Sequence, residues 1–413
     1  MAIIFYGISN VANITKNIDK WIGVAGEPDV FCEKDENLTK YQTKLLGKYE
    51  VISIDEALKR YPNAGVWVTY RIAKNTASLL LSKMPHEKIH FLEADLEYRK
   101  GCRYLGNFMS YRKNSFSPCC VTGQAPIVKA SGSIRSRFEQ WQSYTTDLVD
   151  KVRNNEPNDC QKCPLLKYGF WRKSVKLNEI NFGSNQPGDI CNFRCTYCFC
   201  ENTFKRLKDA TDGFTTYEIL QQLSEMPEYD TEDLTIQLAN GEFCANKHCD
   251  DMLDIFMKTK WKFSLLSNFS LYREKLAKLM ETGRITRTVV SLDAGTRETF
   301  KAVKRNDRFD IVLKNIKRYP IKYTKFCLKY VFIEGVNDNE ADIDGFYEIA
   351  KDSGAVIMIS KDMNVGHGLT DKMRELTLRL IKKAKADGIK VDGGSGYLNP
   401  ADKEFIKQSY ANA

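Results

Sequence analysis

Apolar and polar positions change rhythm twice along the chain. Over the first hundred residues, short apolar runs at Ile3-Ile4-Phe5-Tyr6-Gly7, Val30-Phe31-Cys32, Val51-Ile52-Ser53-Ile54, Val66-Trp67-Val68-Thr69 and Ile89-His90-Phe91-Leu92 read as strands, with helical stretches such as Asn75 to Ser82 between them. That alternation predicts a small Rossmann-like α/β domain over residues 1–99. From 100 to 170 the pattern is irregular, with paired cysteines, a Ser-Pro step and one clear helical stretch around Phe138 to Val152. From 171 to 413 it is regular again, and strand-like runs begin near Leu177, Leu234, Phe263, Thr288, Cys327 and Val356. The helices between them are amphipathic. Ile343, Phe346, Tyr347 and Ala350 recur at helical spacing, and Met373, Leu376, Leu380 and Ala384 form a second stripe that opens at Thr370 and stops at Gly388. Six strand–helix units predict a parallel sheet curled into a partial (βα)6 barrel, with its active site at the C-terminal strand ends.

Composition changes this picture in one respect. Hydrophobic residues at 43% and charged residues at 28% of 413 are ordinary for a globular protein. No apolar run reaches the roughly 20 residues of a spanning helix, and Met1 to Asn13 carry no export leader, so the chain reads as cytoplasmic, with no membrane partner. Thirteen cysteines are not ordinary for a reducing compartment. Cys119, Cys120, Cys160, Cys163, Cys191, Cys195, Cys198 and Cys200 crowd into the middle, while His occurs four times, a balance that favours thiolate metal chemistry over imidazole catalysis. The net charge of +9 suits an anionic substrate, RNA or an acidic electron-donor protein, and the basic residues are spread along the chain as on a solvated surface.

After the first strand, Gly7 holds the first position of a dinucleotide fingerprint, but Ser9 and Ala12 occupy the other two glycine positions. A pyrophosphate would find its approach narrowed at Ser9. Glu33 or Asp35 ends the second strand where a ribose hydroxyl can be bound, so nucleotide binding stands beside a scaffold or docking role for this domain.

The decisive motif follows the first strand of the last region: Cys191, Cys195 and Cys198 in CxxxCxxC spacing, with Tyr197 before the last cysteine. At the chain's cysteine content that arrangement arises by chance only about 0.01 times. Three thiolates on one tight loop can hold three irons of a [4Fe–4S] cube and leave the fourth iron open to a ligand. A structural zinc site closed by Cys200 is the competing reading.

What surrounds the cysteines resembles the radical S-adenosylmethionine (SAM) superfamily across about Leu177 to Asp387. Asn240-Gly241-Glu242 ends the second strand where that family places GGE, with Asn240 in place of the first glycine. Ser267-Asn268 closes the third strand, Ser291-Leu292-Asp293 the fourth, and the run from Phe332 to Asp338, with Asn337, the fifth. The resemblance implies that Cys191, Cys195 and Cys198 ligate the cluster, and that Asn240, Gly241 and Glu242 receive the methionyl group of SAM. It further implies that Tyr197 borders the adenine, while Ser267, Asn268, Ser291, Asp293 and Asn337 meet the ribose and carboxylate. Reduced by a flavodoxin or ferredoxin-type donor, such a cluster cleaves SAM to a 5′-deoxyadenosyl radical that abstracts a substrate hydrogen.

Upstream, Cys102, Ser117-Pro118-Cys119-Cys120, Trp141 and Cys160-Gln161-Lys162-Cys163 resemble the SPASM auxiliary-cluster module of the same enzymes, here placed before the barrel at 100–170. The expected ligands of an auxiliary iron–sulfur cluster are Cys102, Cys120, Cys160 and Cys163, with Cys119 the alternative to Cys120; zinc and free thiols compete with it. Cys244, close behind Glu242, is the candidate hydrogen donor to a substrate radical, against a plain packing role. Tyr330, Lys329 and Lys361 are candidates for the barrel mouth. The chain therefore reads as a radical SAM enzyme acting on a peptide or on a sugar or amino-acid conjugate. An RNA-modifying enzyme and a non-catalytic metal-binding interaction protein are the rivals, and the scatter of basic residues disfavours nucleic acid.

Overall fold

Alternating apolar and helical segments at the N-terminus become a parallel sheet: β1 (Ile3–Tyr6), β2 (Val30–Glu33), β3 (Val51–Ser53), β4 (Gly65–Val68) and β5 (Ile89–Phe91), ordered β3-β2-β1-β4-β5. The structure is a computed structural model that describes residues 2–8, 11–38, 40, 45–69, 74–119, 125–182, 186–198, 213–238, 241–393 and 398–413. Ile4 lies opposite Val30 on one side and Val66 on the other. Apolar residues cover both faces: Ile4, Val30, Val66 and Leu80 cluster on one, while Phe5, Phe31 and Trp21 of the helix Val11–Ala25 cluster on the other. That is the doubly wound arrangement expected from the sequence.

Of the two acidic residues proposed for a ribose, Glu33 and Asp35, the first does not stand ready for one. Glu33 is buried, and its carboxylate accepts the backbone N–H of Ile8 at 2.6 Å and of Lys34 at 2.9 Å, so it closes the turn after β1 from within. Ser9 lies outside the described residues.

The chain forms two compact units, Met1–Gly106 with Tyr144–Lys176, and Asn107–Ser143 with Leu177–Ala413. The segment expected to stand alone at 100–170 is thus divided between them. In the first unit β6 (Leu96–Gly101) pairs antiparallel with β10 (Lys167–Arg172). In the second, β7 (Phe108–Arg112), β8 (Ser115–Ser117) and β9 (Val128–Lys129) extend the main sheet. Phe108 to Tyr111 are buried without alternation, so this strand carries no period-2 signature in the sequence.

The main sheet contains the six expected strands: β11 (Glu179–Phe182), β12 (Thr235–Leu238), β13 (Lys262–Ser267), β14 (Ile285–Ser291), β15 (Lys325–Phe332) and β16 (Val356–Lys361). All six are parallel, in chain order, and each is followed by a helix, which makes a partial (βα)6 barrel; β17 (Val391–Asp392) adds to the β16 edge. The two faces of these strands differ. One carries apolar rows such as Phe182, Leu238 and Leu265, and it meets the helices: Phe263 stacks on Phe256 at 4.6 Å, and Tyr330 meets Phe346 at 4.9 Å. The other, inner face mixes polar rows with an apolar one, Leu266, Val289, Cys327 and Val356. Asn181, Gln237, Ser264 and Arg287 lie side by side in one polar row, and Ser291, Lys329, Met358 and Asp392 in another.

The helix caps follow from the residues at the ends. Thr370 accepts the Met373 N–H and opens the helix Asp371–Ala386, which buries Met373, Leu376, Leu380 and Ala384, and Gly388 follows it at φ 70°. Among the described residues no helix is long and apolar enough to cross a membrane.

Candidate functional site

At the C-terminal end of β11 the chain runs into the loop of Cys191, Cys195 and Cys198, and backbone bonds on two sides fix that loop. Glu242 N–H donates to Ile190 O at 2.8 Å, tying it to the turn after β12. Thr196 N–H donates to Val303 O at 2.9 Å and Arg194 N–H to Lys304 O at 3.4 Å, so the loop satisfies the last carbonyls of the helix Arg297–Lys304. Phe193 is buried edge-on to Phe300, which anchors the loop between the cysteines.

The three thiols are half-buried. Burial pushes Cys191 up to about 12 and raises Cys195, the nearby Lys304 ammonium acting in the opposite direction. A metal bound there would have to displace thiol protons that burial holds more firmly. Among the described residues no group of three or more His, Cys, Asp or Glu stands close enough together to hold a metal ion. By its chemistry the donor set, three thiols on one loop with the Lys304 ammonium near Cys195, is one that would suit a [4Fe–4S] cube. Cys200, the zinc-closing candidate, lies outside the described residues.

Gly241 makes the turn after β12 possible. Its φ is 65°, and a Cβ there would sit 2.2 Å from Ile190 O, so only glycine permits this contact with the cluster loop. Asn240 lies outside the described residues. The Glu242 carboxylate is buried and accepts Asn268 N–H at 2.6 Å, Ser267 Oγ–H at 2.8 Å and Cys244 N–H at 3.2 Å, linking the ends of β12 and β13; burial raises its pKa. Of the roughly four acceptor positions of a carboxylate, about one is left for a ligand. Asn268 also donates to Asn192 Oδ1 at 2.9 Å, and Asn192 to Ser270 Oγ at 2.8 Å, which reaches the cluster loop again.

Three residues expected to touch SAM are engaged otherwise. Asp293, buried at φ 58°, accepts Val331 N–H at 2.9 Å, the Tyr197 hydroxyl at 2.5 Å and the Lys304 ammonium. Lys304 also donates to Tyr197 OH at 3.0 Å. Burial alone would lower Lys304, but the Asp293 carboxylate and the Cys195 thiol hold it above its ordinary value. Asn337 is fully buried, donates to Asp293 O at 2.9 Å and Val331 O at 2.8 Å, and accepts Ile333 N–H at 2.7 Å. These polar atoms shape the strand ends, so Asp293, Asn337 and the Tyr197 hydroxyl position the site. Ser291 stays on the inner face, where a ligand can meet it.

Lys304 is the residue sequence reasoning missed. Its one signal is its place in the stripe Phe300, Val303, Lys304, the buried face of its helix. Lys329 lies on the inner face and is buried, whereas Tyr330 faces Phe346 and donates to Asn337 O at 2.5 Å. Lys361 bonds the carbonyls of Asp362 and Val365. Cys244, the candidate hydrogen donor, is buried, and its carbonyl accepts from Arg273 at 2.8 Å.

The upstream cysteines fall in different units. Cys102, Cys160 and Cys163 belong to the first and Cys119 to the second; Cys120 lies outside the described residues. Cys102 and Cys160 both pack against Leu105, Leu148, Val149 and Val152, and Cys163 N–H closes a turn onto Cys160 O at 2.9 Å. Trp141, expected on a helix, is buried on Ile134–Arg153 and donates to Phe108 O at 3.2 Å.

Residues 185–346 match the family described as the Radical SAM superfamily. The GTP 3′,8-cyclase of Photorhabdus laumondii is 26% identical over 243 residues, covering 53% of this chain and 72% of that protein. GTP 3′,8-cyclase 2 of Pseudomonas aeruginosa is 30% identical over 211 residues, covering 48% and 58%. The chain likewise spans 58% of the Listeria monocytogenes GTP 3′,8-cyclase, which is 28% identical to it. Among solved structures, Streptococcus suis SuiB bound to S-adenosylmethionine aligns with a TM-score of 0.42 at 14% identity, covering 65% of this chain and 58% of SuiB.

Proposed function

Through residues 185–346 the chain belongs to the radical SAM superfamily, and we propose that it cleaves SAM reductively and uses the radical to abstract hydrogen from a peptide or a sugar or amino-acid conjugate. The family's [4Fe–4S] cluster and SAM supply the 5′-deoxyadenosyl radical. The chain's own residues do the rest. Cys191, Cys195 and Cys198 hold the cluster, and the Lys304 ammonium offsets its thiolate charge. Gly241 lets the β12 turn approach the cluster loop, and the remaining acceptor position of Glu242 takes the SAM ammonium. Asn268 and Ser291 supply further polar contacts, while Asp293, Asn337 and Tyr197 hold the strand ends to shape. A flavodoxin or ferredoxin-type protein fits as electron donor to a chain of net charge +9.

The observation that supports this reading is the loop of Cys191, Cys195 and Cys198 fastened directly to the Gly241-Glu242 turn, so that three thiols and a buried carboxylate share the strand ends where a cluster and SAM would be held. An auxiliary iron–sulfur cluster is part of the proposal, with Cys102, Cys160 and Cys163 of the first unit as its candidate ligands, and it favours oxidative chemistry on the substrate radical. Iron and zinc content and 5′-deoxyadenosine formation in anaerobically reconstituted, dithionite-reduced protein test the whole. About eight irons per chain are expected with two clusters and about four with one. Cys195→Ala should abolish 5′-deoxyadenosine formation; retained formation, or zinc alone without SAM cleavage, refutes the reading.

A further inference from the structure

The inner face of the barrel encloses a cavity of about 270 Å³, lined by Glu179, Thr235, Gln237, Ser264, Leu266 and Arg287 among others. That is close to the roughly 300 Å³ at which small-molecule sites begin. Most polar groups here are tied to each other. Gln237 accepts the Asn181 amide N–H at 3.0 Å and donates to the Glu179 carboxylate. Arg287 is different. Its Nε is buried with no acceptor among the described residues, its Nη2 points at the Met358 thioether at 3.6 Å, and Asp392 lies 4.0 Å away, near enough for charge but not for a hydrogen bond. A thioether is a weak acceptor, so the fork of the guanidinium lacks the planar oxygen pair that suits it. Because Met358 stands in register with both Lys329 and Asp392, the Arg287 head group reaches the row that holds Lys329, toward the cluster end of the barrel.

We propose that this cavity is a substrate subsite for an oxyanion, a carboxylate or a phosphate, gripped by the Arg287 fork. The substrate is then an anionic molecule whose charged group enters the polar floor of the barrel while its reacting carbon faces the cluster end. The inference rests on the radical SAM reading for the fate of the bound molecule, but the binding itself can be measured alone.

Isothermal titration of the reconstituted, SAM-loaded protein with inorganic pyrophosphate and separately with glutarate, at constant ionic strength, tests it. One site is expected for at least one probe, weakened tenfold or more in Arg287→Met and in Ser264→Leu, which fills the cavity from the neighbouring strand. Pyrophosphate alone identifies a phosphate, glutarate alone a carboxylate. Should Arg287→Met not fold, Arg287→Lys keeps the charge and loses the fork, and weakening of threefold or more is expected. Absence of binding by either probe, or unchanged binding in either variant, overturns the subsite. Iron content and SAM binding are read on the same samples. Their loss sinks the radical SAM reading, whereas a protein that holds both and binds no anion sinks this inference alone.

Discussion

Replacing Lys304 by Met removes the positive partner of a carboxylate with no access to water. Asp293 is 0% exposed and Lys304 1%, so neither charge is screened in the folded protein. Breaking such a pair from one side costs about 3–5 kcal/mol, because the remaining charge is left uncompensated. At about 2–4 °C per kcal/mol for a domain of this size, the melting temperature should fall by about 6–20 °C. The Tyr197 hydroxyl, which bonds both groups, keeps one of them and loses the other. The cluster loop should therefore loosen as well as the fold, and reconstituted iron should drop with stability. Urea unfolding of the metal-free protein measures the first effect and iron analysis the second. Asp293→Asn in the same chain removes the orphaned charge while its amide oxygen can still accept the Val331 N–H. The double variant should thus be more stable than Lys304→Met alone. A loss below about 1 kcal/mol for Lys304→Met, the size of an exposed pair, or a double variant weaker than the single, would refute the buried-pair argument.

Gly241→Ala forces a β-carbon into the Ile190 carbonyl at a backbone angle that L-residues avoid; about 1–3 kcal/mol of strain is expected, with SAM affinity lowered at least tenfold by equilibrium dialysis. Asp189 is buried between the Gln186 N–H and the Thr216 hydroxyl, and burial lifts its pKa from 3.8 to about 7. The folded protein then keeps a proton that the unfolded chain releases, so its contribution is complete below about pH 4 and is lost as pH rises to about 7, by up to about 1.4 kcal/mol per pH unit. Asp189→Asn, which stays neutral, should gain on the natural chain across that window, reaching about 4 kcal/mol; parallel stability curves in urea melts at several pH values would contradict the assignment.

The strands and the cluster loop were legible because each has a local signature. Apolar runs spaced by amphipathic helices announced β11 to β16, and CxxxCxxC announced its loop with no help from tertiary contacts. What escaped was whatever depends on a partner distant in the chain. Asp293 reads as a turn aspartate beside a ribose until Lys304 and Tyr197 are seen to close on it from other segments. Glu33 has the right position for a ribose, but its carboxylate is taken by the N–H of Ile8, 25 residues earlier. The segment 100–170 misled for the opposite reason: its short strands β6 and β7 pair with β10 and β11, and nothing within the segment names those partners.

The division of the barrel strands into an apolar face toward the helices and an inner face that carries polar rows beside an apolar one has an evolutionary consequence. Folding free energy comes mainly from the buried hydrocarbon of Phe263, Leu265, Val290 and Leu328. The opposite side chains of the same strands, Ser264, Arg287 and Lys329, contribute little of it. A single-base change that alters an inward residue can therefore redirect what the enzyme accepts without unfolding it, whereas the same change one position along the strand would be purged for instability. New substrate ranges are accessible to such a protein by drift along alternate codons, with the radical-generating rim left intact.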